Sequence, residues 1–415
     1  MTLYEELKWR GLIKDEAGDD IEEVINSCNK TFYWGTDPTA DSLHIGHYSS
    51  LIMAKRLARA GHHPILLVGG ATGMIGDPRP TAEREIISKE TVFHNYECIK
   101  NQVESIFGKD LDVEVVNNYD WTKDMTILDF LREIGKYVNV NYMLDKDIIR
   151  RRLETGITFA EFTYTLLQGY DFLHLYEEKG CVMQAAGSDQ WGNITTGVDL
   201  INKKLGKKAY AFTMPLILDQ NGQKFGKSLG NALWLDENKT SSYELYQYLI
   251  NADDSKVEEY LKVFTFLNKE EIESIMEIHR KKPEERIAQK KLAEEFICDL
   301  HGKDSYRHAK EVSEALFSGN VKDLTDKDIE SVFRGVQTFT YSEAPILDLF
   351  VETKIVSSRR ELREFLGSNA ITINGEVVND ENYCLDKKRK YNIVRRGKKK
   401  YFLFIKSTPV VILPH

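Results

Sequence analysis

Tyr33-Trp34-Gly35-Thr36-Asp37-Pro38-Thr39-Ala40-Asp41-Ser42-Leu43-His44-Ile45-Gly46-His47 is a short β-rich run that ends in glycine and passes through a polar loop into a His-x-Gly-His sequence. Gly35 at the strand end lets a ligand approach the backbone. Asp41 or Ser42 is placed to cap the following helix, over Ser49–Ala60, whose N-terminus favours anionic groups. His44 and His47 sit one helical turn apart and can both donate hydrogen bonds to phosphate oxygens. Gly46 between them leaves room for a flat ring or a sugar. Ordinary surface or core histidines are the plain alternative for either residue in isolation. Zinc is disfavoured, because no Cys or third His is near in sequence.

Working outward, strand-like runs at Thr31–Trp34, Pro64–Val68, Val113–Asn117 and Val182–Ala185 alternate with helical patterns. Such alternation predicts a parallel α/β sheet with its ligand beyond the carboxyl ends of the strands. Gly35 and the Gly69-Gly70-Ala71-Thr72-Gly73 run fall at such ends. From Ser241 to about Ser318 the period changes to i, i+3, i+4, i+7 (Ile272, Ile275, Met276, His279), which predicts a helical bundle; the charges of Lys269–Lys291 read as a solvated face. Residues 319–345 read as a connector. In the last 70 residues, Ser357–Leu366 reads as a capped basic helix, and Ile371-Thr372-Ile373-Asn374-Gly375-Glu376-Val377-Val378 as an Asn-Gly hairpin.

The 415 residues carry a net charge of −9, unevenly spread. Residues 346–415 hold 14 Lys and Arg against 8 Asp and Glu, whereas the rest of the chain is strongly acidic. A basic tail on an acidic body points to a local polyanion site. The five cysteines form no CxxC pair, so neither a zinc ribbon nor a disulfide framework is suggested. No charge-free apolar stretch approaches the roughly 18 residues of a membrane helix, and the acidic N-terminus lacks a signal-like core. A soluble cytoplasmic protein is the expectation.

About 180 residues after the histidines comes Lys224-Phe225-Gly226-Lys227-Ser228, a glycine-broken pair of lysines on a polar loop. In this order, the two motifs suggest a site that holds a nucleoside triphosphate and expels pyrophosphate. The first closely resembles the leading signature of class I aminoacyl-tRNA synthetases, in the wording of the bacterial-type tyrosyl-tRNA synthetases; the second resembles the family's second signature. The resemblance covers essentially the whole chain. It implies a Rossmann-like α/β catalytic domain over 1–218 with a dimer-forming insertion near 125–163, a signature loop over 219–240, a helical domain over 241–318, a linker over 319–345, and an S4-like RNA-binding domain over 346–415.

It also implies roles. Tyr164, Gln168 and Asp171 share one face of a helix, which read blandly is a polar helix face. By resemblance Tyr164, Gln168 and Asp77 hold the substrate ammonium, Asp171 and Tyr33 bond the phenolic hydroxyl, and Asn118 and Gln184 line the same pocket. Phenylalanine would leave the phenol-directed groups unpaired. In Gly187-Ser188-Asp189-Gln190-Trp191-Gly192-Asn193, Asp189 takes the ribose hydroxyls and Gln190 sits near the reacting carboxylate and α-phosphate; the bland reading of Asp189 is a helix N-cap. ATP contacts extend to Gly35, Asp37, Gly46, Phe225 and Gly226. Tyrosine's carboxylate is ionised at pH 7 and needs no general base. Catalysis therefore falls to positioning and to His44, His47, Lys224, Lys227 and Ser228 at the leaving pyrophosphate. Magnesium accompanies ATP, with no dedicated protein metal site.

Two places depart from the family's wording: the short, proline-rich loop Pro78–Arg84, and Trp34, bulky where relatives often place a small side chain. In the tail, Arg359, Arg360, Arg363, Lys387, Lys388, Arg389, Lys390, Arg395, Arg396 and Lys398 are the RNA-contact candidates, with solubility as the plain alternative. The implied partners are tRNA(Tyr), L-tyrosine, ATP and a second copy of the chain, joined through Phe130–Thr163, and no membrane. Competing readings are a tryptophanyl-type ligase, an idle RNA-binding protein on this scaffold, and a small-molecule nucleotidyltransferase. The Tyr33/Asp171 pair, the intact motifs and the basic tail argue against them in turn.

Overall fold

The computed structural model describes residues 1–77, 87–108, 110–153, 156–228, 231–318, 321–334, 336–397 and 400–406. The proline-rich loop and Lys398 lie outside them. Two compact units emerge: Met1–Thr240 with Leu249–Gly302, and Ser241–Tyr248 with Lys303–His415.

The first unit is built on a six-stranded sheet of β1 (Asp15–Ala17), β2 (Thr31–Thr36), β3 (His63–Val68), β4 (Glu114–Asn117), β5 (Cys181–Gly187) and β6 (Tyr210–Met214), in spatial order β1-β6-β5-β2-β3-β4. All neighbours are parallel except the edge pair β1–β6. Central strands of a parallel sheet are covered on both faces, so they read as unbroken apolar runs. Thus Pro64 to Val68 are all buried. The chain grows from β2 towards β3 and β4, then returns to place β5 on the other side of β2. The reversal leaves a crevice at the carboxyl ends of β2 and β5, where ligands bind in such sheets. Tyr33, Phe172, Leu173 and Leu200 belong to the apolar core on one face.

The 241–318 stretch, read as one bundle, is divided between the units. Helices Val257–Phe264, Lys269–Lys281 and Ile287–Leu300 belong to the first, and Lys303–Ser318 to the second. The reason is packing: Phe296 lies 4.0 Å ring to ring from Tyr48, and Asp299 bonds the Tyr48 hydroxyl at 2.7 Å and Lys55 Nζ at 2.6 Å. Within the signature loop, β7 (Lys227–Ser228) pairs with β8 (Asn231–Ala232).

The second unit carries a five-stranded sheet of β9 (Thr338–Tyr341), β10 (Ile371–Ile373), β11 (Glu376–Val377), β12 (Tyr391–Arg396) and β13 (Lys400–Lys406), ordered β11-β10-β12-β13-β9. Asn374 and Gly375 take φ of 51° and 87°, the double left-handed conformation of a tight hairpin turn. Ser358 caps the helix Arg359–Gly367. The 319–345 stretch is no bare connector. It holds the helix Asp326–Val332 and β9, which pairs parallel to β13.

Candidate active site

At the end of β2 the chain bends through Asp37 and enters a 3₁₀ turn at Ile45–His47, which runs into the helix Tyr48–Arg59. Neither Asp41 nor Ser42 caps this turn. Asp41 pairs with Lys239, Ser42 Oγ donates to the Leu43 carbonyl, and the capping side chain is His44 itself. His44 Nδ1 accepts the Gly46 N–H at 3.1 Å, and His47 Nδ1 accepts the His44 N–H at 3.2 Å. A neutral imidazole that accepts at Nδ1 carries its proton on Nε2. Both rings therefore present Nε2–H donors, stacked 3.8 Å apart. Burial, then His44 and Lys224, push the His47 pKa down to about 3, so this ring stays neutral. The absent Cβ of Gly46 makes room for the His44 ring, because a Cβ there would lie 2.8 Å from its Cε1.

The signature loop docks against this turn. Ile45 N–H donates to the Leu233 carbonyl at 2.7 Å, and Leu235 N–H to the Leu43 carbonyl at 2.8 Å. Gly226 has φ of 88°, and a Cβ there would lie 1.9 Å from Ile45 Cγ2, so only glycine closes the contact. Phe225 is buried against Phe264, 4.6 Å between rings.

At the other end lies a buried polar cluster. Asp171 accepts from Trp121 Nε1 at 2.9 Å and from Asn118 Nδ2 at 3.0 Å. Burial nevertheless raises its pKa to about 7. Beside it the Tyr33 hydroxyl is buried with no hydrogen-bond partner among the described residues, as is Gln184 Oε1. Burial and the Asp171 charge hold the Tyr33 phenol well above its usual range. Tyr164 donates to Asp37 at 3.0 Å, and Asp37 also accepts from Thr72 Oγ1 at 2.8 Å. Gln190 Nε2 donates to Asp77 at 2.9 Å.

One cavity of about 630 Å³ joins both ends. Its lining gathers Tyr33, Gly35, Asp37, His44, Gly46, His47, Asp77, Tyr164, Gln168, Asp171, Gln184, Gly187, Asp189, Gln190, Lys224, Phe225 and Gly226, together with Trp34. Asn118 is a correction: it does not line the cavity but lies fully buried behind it, bonding Asp171 and Thr72 Oγ1. Asp189 is not a side-chain cap, since the short turn Ser188–Gln190 has Gly187 at its N-cap and no cap bond. Lys227 and Ser228 are described by their backbone alone, in β7. Sequence reasoning missed Thr72, Asn193 and Trp121. Thr72 lies in the glycine-rich run and Asn193 follows the Asp189-Gln190 pair, whereas only the fold brings Trp121 to Asp171.

In the second unit the basic candidates are less bare than their count suggests. Arg359 pairs with Asp348, Arg360 with Glu364, Arg363 with Glu381, Lys387 with Glu343, Arg389 with Asp386 and Lys390 with Glu330. Arg396 is turned to structure: it donates to the Ile355 carbonyl and lies 5.4 Å from the Phe365 ring centroid. Arg395 buries its Nε without a partner among the described residues, and Lys388 is exposed.

The family model described as class I tRNA synthetases (W and Y) matches residues 27–318, and that for the C-terminal domain of tyrosine–tRNA ligases matches residues 328–404. The chain belongs to the class I tRNA synthetases. It is 47% identical over 413 residues to tyrosine–tRNA ligase 1 of Enterococcus faecalis, covering 97% of this chain and 99% of the relative. It is 45% identical over 419 residues to the tyrosine–tRNA ligase of Geobacillus stearothermophilus, with the same coverage. A C-terminally truncated mitochondrial tyrosyl-tRNA synthetase of Aspergillus nidulans superposes with a TM-score of 0.68 at 33% identity, over 76% of this chain and 94% of that one. Within the class, its place is the tyrosyl-tRNA synthetase family.

Proposed function

We propose that the chain is a tyrosine–tRNA ligase, joining L-tyrosine to ATP as tyrosyl-adenylate with release of pyrophosphate, then passing the tyrosyl group to the 3′-terminal ribose of tRNA(Tyr). The observation that carries this reading is the unpartnered, buried Tyr33 hydroxyl beside Asp171 in the cavity that also holds the His44–His47 pair. A phenol that accepts from Tyr33 and donates to Asp171 satisfies the Tyr33 hydroxyl and adds a bond to a carboxylate already held by Trp121 and Asn118; a benzyl or indole side chain leaves the Tyr33 hydroxyl unpaired at a cost of about 1–3 kcal/mol.

The remaining roles are assigned by likeness to the family. Tyr164, Gln168 and Asp77 take the ammonium, and Gln190 the carboxylate region. The carboxylate oxygen attacks the α-phosphorus, and the bond to the bridging oxygen of pyrophosphate breaks. Two neutral Nε2–H donors and the lysines at 224 and 227 meet the charge that builds on the leaving group, where donors already in place act strongly. Asp189 holds the ribose. Mg²⁺ enters on the triphosphate, whose oxygens and waters suit it. Among the described residues no group of three or more His, Cys, Asp or Glu gathers to hold a metal.

The chain works as a homodimer in the cytoplasm, where its ATP and tRNA are found. Supporting the dimer, Ile127, Leu128 and Phe159 are 77–78% exposed in the first unit, an apolar face of the kind a partner covers. No helix among the described residues is long and apolar enough to cross a membrane. The basic second unit holds tRNA phosphates through residues such as Arg359, Arg360 and Arg363, whose carboxylate partners are exchanged for phosphate on binding. Charging of a tRNA(Tyr) transcript with labelled tyrosine tests the whole reading. The label is expected as an ester on the 3′ ribose, and RNA binding without charging would reduce the chain to a binding protein.

A further inference from the structure

Lys146 is 8% exposed, on the helical insertion that ends in Asp147–Leu153. A buried ammonium is expected beside a carboxylate. The carboxylate that Lys146 senses, Asp199, is instead ion-paired to Lys203 at 2.7 Å. Lys146 Nζ donates to the Gly192 carbonyl, lies 3.5 Å from Thr195 Oγ1, and sits 4.3 Å from the centroid of the Tyr142 ring. Tyr142 in turn donates its hydroxyl to Thr195 Oγ1 at 3.2 Å, and Thr195 and Thr196 donate to the same Gly192 carbonyl at 3.2 and 3.1 Å. The insertion thus grips the first turn of the helix Trp191–Leu205 from outside.

The opposite side of that turn faces the cavity. Gln190 bonds Asp77, and Asn193 ties Gln190 Oε1 at 3.0 Å to Thr165 at 2.8 Å. We infer that Lys146 is a positioning residue: it fixes the Trp191–Gly192 turn, and through it the Gln190–Asp77 pair, relative to the insertion. Lysine suits the task. Its stem packs through the buried layer, with Cδ 3.8 Å from where a Gly192 Cβ would lie, and its ammonium adds a charge-assisted bond to a carbonyl whose helix bond is already made.

The inference rests on the proposed site, in which Gln190 and Asp77 meet tyrosine. The test is tyrosine-dependent pyrophosphate exchange by the full chain carrying Lys146→Met, Lys146→Arg or Tyr142→Phe, each with and without Gln190→Ala. Wild-type exchange reports on the site itself, and variant-to-wild-type ratios report on Lys146. Lys146→Met is expected to raise the KM for tyrosine about tenfold with the KM for ATP within about twofold; Tyr142→Phe moves it the same way by about threefold, and Lys146→Arg restores part of the loss. In the Gln190→Ala background the effect of Lys146→Met should shrink to about twofold or less, the non-additivity of residues that act through one another. A Lys146→Met effect confined to melting temperature, or one equally large with and without Gln190, overturns the inference. Should Lys146→Met not fold, the Tyr142→Phe cycle decides alone by the same criteria.

Discussion

His44 and His47 owe their donor role to backbone bonds at Nδ1, which set the proton on Nε2. Replacing either by alanine should lower the kcat of pyrophosphate exchange about 10²-fold with little change in the KM for tyrosine, as expected for donors that act on developing charge. His47→Gln, which keeps an N–H near the Nε2 position, should lose less. Asp171 makes a prediction about pH. Burial raises its folded-state pKa from 3.8 to about 7, so between these values the folded chain binds the extra proton. Its contribution to stability is full below about pH 4 and is withdrawn as pH rises to about 7. Urea melts at pH 5 and pH 8 should therefore show wild type losing more stability on alkalisation than Asp171→Asn, by on the order of a few kcal/mol. An equal loss in both would place the titration elsewhere.

At the scale of elements, the signature loop and the His-x-Gly-His turn meet by close backbone approach, and Gly226 is the tightest point. Gly226→Ala puts a methyl 1.9 Å from Ile45 Cγ2 at a φ of 88°. Exchange kcat should fall at least tenfold while the melting temperature moves by only a few degrees, because the loop and not the core is displaced. Much of this was legible in the sequence, and the reason is locality. Strand ends, the 3.6 period of the helix that carries Tyr164, Gln168 and Asp171, and the Asn374-Gly375 turn are written in neighbouring residues, and the structure places them within a few residues of where the sequence puts them. Contacts that bridge distant segments outside the signature motifs were not legible. Trp121 and Asn118 reach Asp171 across 50 and 53 residues, and Lys146 reaches Gly192 across 46. Nor were the ion pairs of the tail, where Lys387 and Lys390 find carboxylates 44 and 60 residues upstream. Gly46 lines the cavity, and the space its absent Cβ leaves also seats the chain's own His44 ring, a use of glycine that no spacing announces.

At the scale of the molecule, the proposed function asks for assembly and RNA capture as well as for the cavity. The exposed Ile127, Leu128 and Phe159 predict a dimer in sedimentation velocity, and Leu128→Arg with Phe159→Glu should shift it towards monomer. Reversing Arg359, Arg360 and Arg363 to glutamate should weaken tRNA charging at moderate salt, with tyrosine exchange in the absence of tRNA unchanged. On the proposed function, one cavity selects a phenol at Tyr33 and Asp171 and activates its carboxylate with ATP. Amino-acid-dependent ATP–pyrophosphate exchange, run without tRNA across all twenty amino acids, tests this most directly. Exchange with tyrosine, far below it with phenylalanine and tryptophan, and loss of that preference in Tyr33→Phe with Asp171→Asn, is the predicted result. Exchange with tryptophan instead, or with no amino acid from folded protein, would contradict it.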